Sequence, residues 1–292
     1  MLRRVSTYIR QRGMLDKRQP VLVGLSGGAD SVALLDVLTR AGYTCVAAHC
    51  NFHLRGEESN RDEAFVRDLC ARMNVPLETT AFDTSLYARE HAQSIEVAAR
   101  ELRYRWFDEM ARKHGCQAIA VAHHQNDQAE TLLLHLRRGT GLRGLAGMRP
   151  VSANPMAPES VPIVRPLLCT THDYIVHYLR DKRGLSWVED STNTDTSILR
   201  NAIRAQLQSY TKAEIEHMAQ TADYVQGYVD ILDGKNTREA GIAKLYESLR
   251  TYNFAEIDKI YDALQRGEGG KVFTSKTHQA TIKHGKLCVT TV

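Results

Sequence analysis

The sequence predicts an α/β fold: a doubly wound, mostly parallel sheet with helices on both faces, then a small mainly helical domain and a short C-terminal β-unit. Three observations predict it. Short apolar runs recur at 21–25, 43–49, 76–82 and 118–122. Each is followed by a longer stretch of helical periodicity, and that alternation calls for right-handed crossovers and a parallel sheet. Beyond about 209 the pattern turns helical and closes on short runs at 272–274, 280–283 and 287–290, with His284-Gly285 as the expected hairpin turn.

Taken in order, residues 1–12 read as a short basic helix, 21–25 as the first strand and 31–40 as a helix. A second buried strand over 43–49 leads through a polar loop to a helix over about 59–73. After a third strand, a helix over about 94–114 is expected to turn Ile95, Ala98, Leu102, Trp106 and Met110 inward. A fourth strand and a helix over about 126–137 follow. Glycines at 139, 141, 144 and 147 and a cluster of prolines mark 139–165 as a long loop crossing the active face, with a possible last strand at 161–164. Helices are expected near 171–182, 198–208, 211–235, 237–249 and 254–265.

Bulk properties narrow the class. A chain of 292 residues can bury a full core and fits two domains. A formal net charge of +4 is compatible with nucleic-acid binding without demanding it. No apolar run is long enough to cross a bilayer, and Met1-Leu2-Arg3-Arg4 leads into polar residues, so no signal-peptide core is expected. None of the six cysteines stands in a Cys-x-x-Cys pair. That suits a reducing cytoplasm and argues against a structural zinc site or an iron–sulfur cluster.

The most informative segment follows the first strand: Ser26-Gly27-Gly28-Ala29-Asp30-Ser31, then a helix. Paired glycines let backbone N–H groups point inward, and the helix N-terminus adds positive partial charge, which together make an anion site. An ordinary capped turn is the plainer alternative. No Gly-Lys-Ser/Thr ending follows, and the glycines lack dinucleotide spacing. In the second segment, residues 123–131, Asp127 and Glu130 share a helix face, placed to hold an ammonium group or a magnesium ion. Its two histidines are metal-ligand types, but no third ligand stands near them in sequence. The loop carrying His49, Asn51, His53 and Arg55 ends the second strand and would line the same pocket. Arg100 and Arg103 suit either surface pairs or a phosphate. Asp190 and Asn193 sit in a cap-rich loop, and Arg200 and Arg204 lie one turn apart, either solvated or clamping a carboxylate or phosphate. Because ligands bind beyond the carboxyl ends of parallel strands, the first three segments should converge on one crevice.

Together these segments, with 51–59, 96–104 and 138–148, resemble the bacterial tRNA(Ile)-lysidine synthases of the pyrophosphate-loop ATP-pyrophosphatase superfamily, in order across about residues 20–205. The resemblance implies an ATP- and Mg2+-dependent ligase in the cytoplasm. It would adenylate C2 of the wobble cytidine of tRNA(Ile) with a CAU anticodon, let free L-lysine displace AMP, and release pyrophosphate. Carried over, Ser26, Gly27, Gly28, Ala29, Asp30 and Ser31, with His49, Asn51 and His53, would bind ATP, and Asp30 its magnesium. Asp127 and Glu130 would hold the lysine amino group, with Arg204 or Arg200 facing it. Arg103 or Arg100 would face phosphate or cytidine, and Arg55, Asp190 and Asn193 would contact substrate. Asp30, Arg103, Asp127, Glu130 and Arg204 would carry the chemistry. The implied domains are 1–208, catalytic and ATP-binding, and 209–292, a possible tRNA-binding region. A homodimer is compatible with this. The glycines of 139–147 suit a loop that admits an anticodon and closes. The resemblance weakens after 211, where family members often carry further substrate-recognition domains, as expected for a compact member or a shortened chain.

Three rivals remain at this stage. A pyrophosphate-loop tRNA thiolase would need catalytic cysteines or a cluster. An amidotransferase-type synthetase would act without RNA. A nucleotide-binding module would not turn over.

Overall fold

A computed structural model describes residues 1–54, 56–189 and 199–292, with the backbone alone at 199–201. In chain order the elements are α1 (Leu2–Gln11), β1 (Val21–Gly24), α2 (Ala29–Arg40), β2 (Cys45–Asn51), α3 (Glu57–Met73), β3 (Leu77–Ala81), α4 (Thr84–Glu90), α5 (Ile95–Lys113), β4 (Ile119–Ala120), α6 (Gln125–Arg138), α7 (Leu142–Leu145), β5 (Val151–Ser152), β6 (Ile163–Val164), α8 (His172–His177), α9 (Leu199–Leu207), α10 (Lys212–Leu232), α11 (Arg238–Leu249), α12 (Ile257–Gln265), β7 (Val272–Thr274), β8 (His278–Lys283) and β9 (Lys286–Thr291). Packing divides them into two compact units, Met1–Thr131 with Met148–Glu216, and Leu132–Gly147 with His217–Val292.

The first unit is built on a sheet of order β3-β2-β1-β4-β6-β5. All pairings are parallel except β5 with β6. Successive residues of β1 feed opposite layers. Val21 and Val23 join a core with Val32, Leu35 and Leu38 of α2, Val66 and Leu69 of α3, and Ile175 of α8. Leu22 joins Tyr104, Phe107 and Met110 of α5 on the other face. A strand buried on both sides has no room for the polar alternation of a half-exposed one, which is why β1 reads as an unbroken apolar run.

Starting from β1, the chain moves outward through β2 to β3, then returns to the opposite side of β1 with β4. The reversal falls between β1 and β4. Adjacent crossovers there leave to opposite faces, which opens a crevice at the carboxyl ends of those two strands.

The sheet, its helical layers and the small C-terminal β-unit agree with the expected fold class. Three local expectations need correction. Of the five α5 residues expected to face inward, Ala98 and Met110 are buried, Leu102 and Trp106 are half-buried and Ile95 is exposed, while Ala99, Tyr104, Phe107 and Ala111 are buried beside them. The space beneath β1 accepts two aromatic rings, and Phe107 packs where a Cβ at Gly24 would stand 2.9 Å from its ring. The stretch 139–165 is not one long loop, because it carries α7 and the antiparallel edge strand β5. The helix expected over 171–182 is α-helical only in α8 and continues as a π-helical turn at Tyr178–Arg183, ended by Gly184 at φ +61°. There the Tyr178 hydroxyl donates to Asp36 Oδ2 at 2.5 Å and Arg183 reaches Asp36 Oδ1 at 3.0 Å.

In the second unit, Ile242, Leu249, Phe254, Ile257, Ile260 and Ala280 form a separate core between α11, α12 and the antiparallel sheet β7-β8-β9. His284 and Gly285 both take positive φ, 50° and 72°, as the two-residue turn joining β8 and β9 requires. Arg143 of α7 makes a paired contact with Asp233, the shorter bond 2.7 Å.

Candidate active site

Two serine hydroxyls hold the turn after β1: Ser26 Oγ accepts the Gly28 N–H at 3.3 Å and donates to Ser31 Oγ at 3.1 Å. Ser31 Oγ accepts the N–H groups of Ser26 and Gly27, each at 3.2 Å, and donates to the Gly28 carbonyl at 2.9 Å. Gly27 sits at φ +95°, where an added Cβ would press on Val66 at 3.3 Å. Helix α2 begins directly behind this turn and no side chain caps it. Its first N–H groups and the positive end of its dipole are therefore available to an anion.

A cavity of about 270 Å³ opens here, near the low end of the range for small-molecule sites, about 300–1,000 Å³. Ser26, Gly28, Asp30 and Ser31 line it from the β1–α2 turn, His123 and Asp127 from the segment after β4, and Arg103 from α5. Segments more than 90 residues apart thus meet in one crevice at the strand-order reversal.

Electrostatics at the mouth is set by Asp30. Its carboxylate lies 3.0 Å from His172 Nδ1 and 3.5 Å from His124 Nε2. Burial works to raise the Asp30 carboxyl, but the hydrogen bonds and charges of the two histidines outweigh it and hold it far below the usual carboxylate range. His124 responds in the opposite sense. Its burial opposes charge, yet Asp127 and Asp30 push it up to about 9. Burial instead lowers His123, against the pull of Asp127 and helped by the nearby Arg165 and Arg100.

Helix α6 organises this region. Asp127 Oδ2 accepts the His124 N–H at 2.9 Å, and Asn126 Oδ1 accepts the His172 N–H at 2.9 Å. One turn further on, buried Glu130 receives Arg204 Nε at 2.7 Å, while the Arg204 side chain remains 43% exposed. Gln128 bonds both the N–H and the carbonyl of Met148.

The expected site residues divide accordingly. The cavity gathers Ser26, Gly28, Asp30, Ser31, Arg103 and Asp127. Gly27 shapes the turn and Ala29 is buried in the core behind it. Glu130 and Arg204 pair with each other and are not among the lining residues. Arg100 lies over the Tyr104 ring at 5.0 Å, outside the lining, whereas Arg103 lies over the Phe52 ring at 5.2 Å and faces the cavity.

His49, Asn51 and His53 are not among the residues that line the cavity. Side chains alternate along β2, so Ala48, Cys50 and Phe52 face the cavity and the residues between them turn away. His49 Nδ1 is pinned to the Leu25 carbonyl at 2.8 Å. Asn51 bonds Asn60 and Glu63 and accepts the His53 N–H. Arg55, Asp190 and Asn193 lie outside the described residues, as does the Arg200 side chain.

Reading the sequence missed Cys50, Phe52, Phe107 and His172. Strand alternation could have given the first two. Nothing local marks His172, because its relevance depends on α8 starting beside α2.

Comparison with known proteins bears on the same segments. Residues 2–211 match the model of the PP-loop domain, and residues 228–292 match that of the TilS substrate binding domain. The tRNA(Ile)-lysidine synthase of Parabacteroides distasonis is 41% identical over 319 aligned positions, covering 100% of this chain and 70% of the relative. The chain belongs to the tRNA(Ile)-lysidine synthase family. The tRNA(Ile)-lysidine synthase of Bacteroides thetaiotaomicron is 42% identical, with 99% of this chain and 71% of the relative covered. Among solved structures, the U34-tRNA thiolase NcsA of Methanococcus maripaludis superposes with a TM-score of 0.60 at 16% identity, covering 77% of each chain. At that identity the likeness concerns the fold alone. The synthase relatives therefore favour ligation over the thiolase reading. Among the described residues no helix is long and apolar enough to cross a membrane.

Proposed function

We propose that this chain joins free lysine to C2 of the wobble cytidine of tRNA(Ile) bearing a CAU anticodon, through an adenylated cytidine, with release of AMP and pyrophosphate. The observation that carries the reading is the meeting of the β1–α2 turn, Arg103 and Asp127 in the crevice of a family member. The turn and the uncapped start of α2 receive the phosphates of ATP. Magnesium is a hard, oxygen-seeking ion usually held by one or two carboxylates plus substrate phosphates. Asp30, whose carboxylate lines the cavity beside the turn, fits that role. When bound, the ion would neutralise charge on the leaving pyrophosphate.

A carbonyl oxygen is a poor leaving group until it carries AMP, so the residues chiefly position and stabilise charge. Arg103 faces the cavity from α5, where it can stabilise the α-phosphate as the cytidine oxygen attacks. Asp127 then receives the lysine ammonium group. Glu130 and Arg204 form an ion pair able to meet both ends of an amino acid, the carboxylate facing the amine and the guanidinium the carboxylate. Residues 1–208 carry this chemistry in our reading, and 209–292 contact the tRNA.

The test is incubation with ATP, Mg2+, labelled lysine and tRNA(Ile) bearing CAU, with methionine tRNA as the control. Label should stay with the isoleucine tRNA alone. ATP turnover with no lysine in the RNA would overturn the proposal.

A further inference from the structure

We infer that Asp30, His124 and His172 form a binding site for a divalent transition-metal ion of the Mn2+, Co2+ or Zn2+ class, occupied without nucleotide. The three come from separate segments: the first turn of α2, the stretch before α6 and the first turn of α8. Their donor atoms all lie within 4.8 Å of one another. His172 Nδ1 is 3.0 Å from one Asp30 oxygen and His124 Nε2 is 3.5 Å from the other. Ligands about 2.0–2.2 Å from a tetrahedral ion stand roughly 3.3–3.5 Å from each other, so the His124 edge has that dimension and the His172 edge would open slightly to reach it.

The site is also held in place. Both histidine backbones are tied to the first turn of α6, through Asp127 and Asn126. The His124 side chain is only 8% exposed, and its Nδ1 has no hydrogen-bond partner. Two imidazoles and one carboxylate are the donor set of nitrogen-seeking first-row ions, not of magnesium. The remaining coordination positions are left to water or an anionic ligand, because Asp30 borders the cavity. The inference concerns the chain without nucleotide and stands apart from the lysine-ligation reading.

Co2+ is the probe, titrated into the metal-free full chain and followed by its visible d–d absorption. One Co2+ per chain is expected, displaced by Zn2+ and not by equimolar Mg2+. His172→Ala should weaken binding roughly tenfold or more. Because the His172 side chain is 45% exposed, the variant should keep its far-UV circular dichroism. Cys288→Ser, at an exposed thiol, should bind as the wild type does. X-ray absorption on the wild type should show two imidazoles and no sulfur around the ion, a readout that needs no variant. Absent binding, binding unmoved by His172→Ala, displacement by equimolar Mg2+ or a sulfur ligand would each overturn the inference.

Discussion

Arg204 and Glu130 stand 74 residues apart in sequence and 2.7 Å apart in space. Glu130→Gln keeps the shape and removes the charge. It should raise the KM for lysine about tenfold and leave the KM for ATP within about twofold, because one charge-assisted hydrogen bond is worth about 1.5–3 kcal/mol. Equal effects on both substrates in steady-state kinetics would show that Glu130 does not serve lysine. His49 gives a pH prediction. Burial lowers its pKa, so the folded chain keeps it neutral while the unfolded chain takes up a proton near pH 6.5. Stability is therefore present above that pH and lost as pH falls below it, by at most about 1.4 kcal/mol per pH unit from this group. Urea midpoints measured from pH 7 to 5 should fall, and less steeply in His49→Asn. At this scale the sequence was legible where chemistry clusters locally, as in residues 123–131. It was illegible at His172, whose partners are set by packing between α8 and α2.

Among the elements, the β1–α2 turn is the most constrained. Gly27 at φ +95° has a conformation that costs an L-residue about 1–2 kcal/mol, and Val66 crowds the position of its Cβ. Gly27→Ala should therefore lower the unfolding free energy by about that amount and weaken ATP binding in calorimetry. Unchanged stability would mean that the turn relaxes without cost. The turn was readable because a strand, paired glycines and a helix start follow one another within eleven residues, 21–31. The inward face of α5 was not, because aromatic residues surround the helix and only the shape beneath β1 selects Tyr104 and Phe107. The strand alternation that turned His49 and Asn51 away from the cavity was available in the sequence.

For the whole molecule, the parallel sheet was legible from the strand–helix alternation, whereas β5 was not, since two residues on a sheet edge leave no periodic signal. In the second unit, Lys283 and Lys286 are exposed on β8 and β9. Replacing both with glutamate should weaken tRNA binding and reduce its salt slope by about one per lost phosphate contact. An unchanged slope would place the tRNA elsewhere. The central claim is that the crevice between β1 and β4 transfers AMP to the RNA before lysine arrives. The direct measurement uses ATP labelled at the α-phosphate, with tRNA(Ile) bearing CAU and no lysine. The account predicts that label accumulates on the RNA and is released as AMP when lysine is added, with neither step in Asp30→Ala. Label recovered in ADP, or RNA that never becomes labelled, would contradict it.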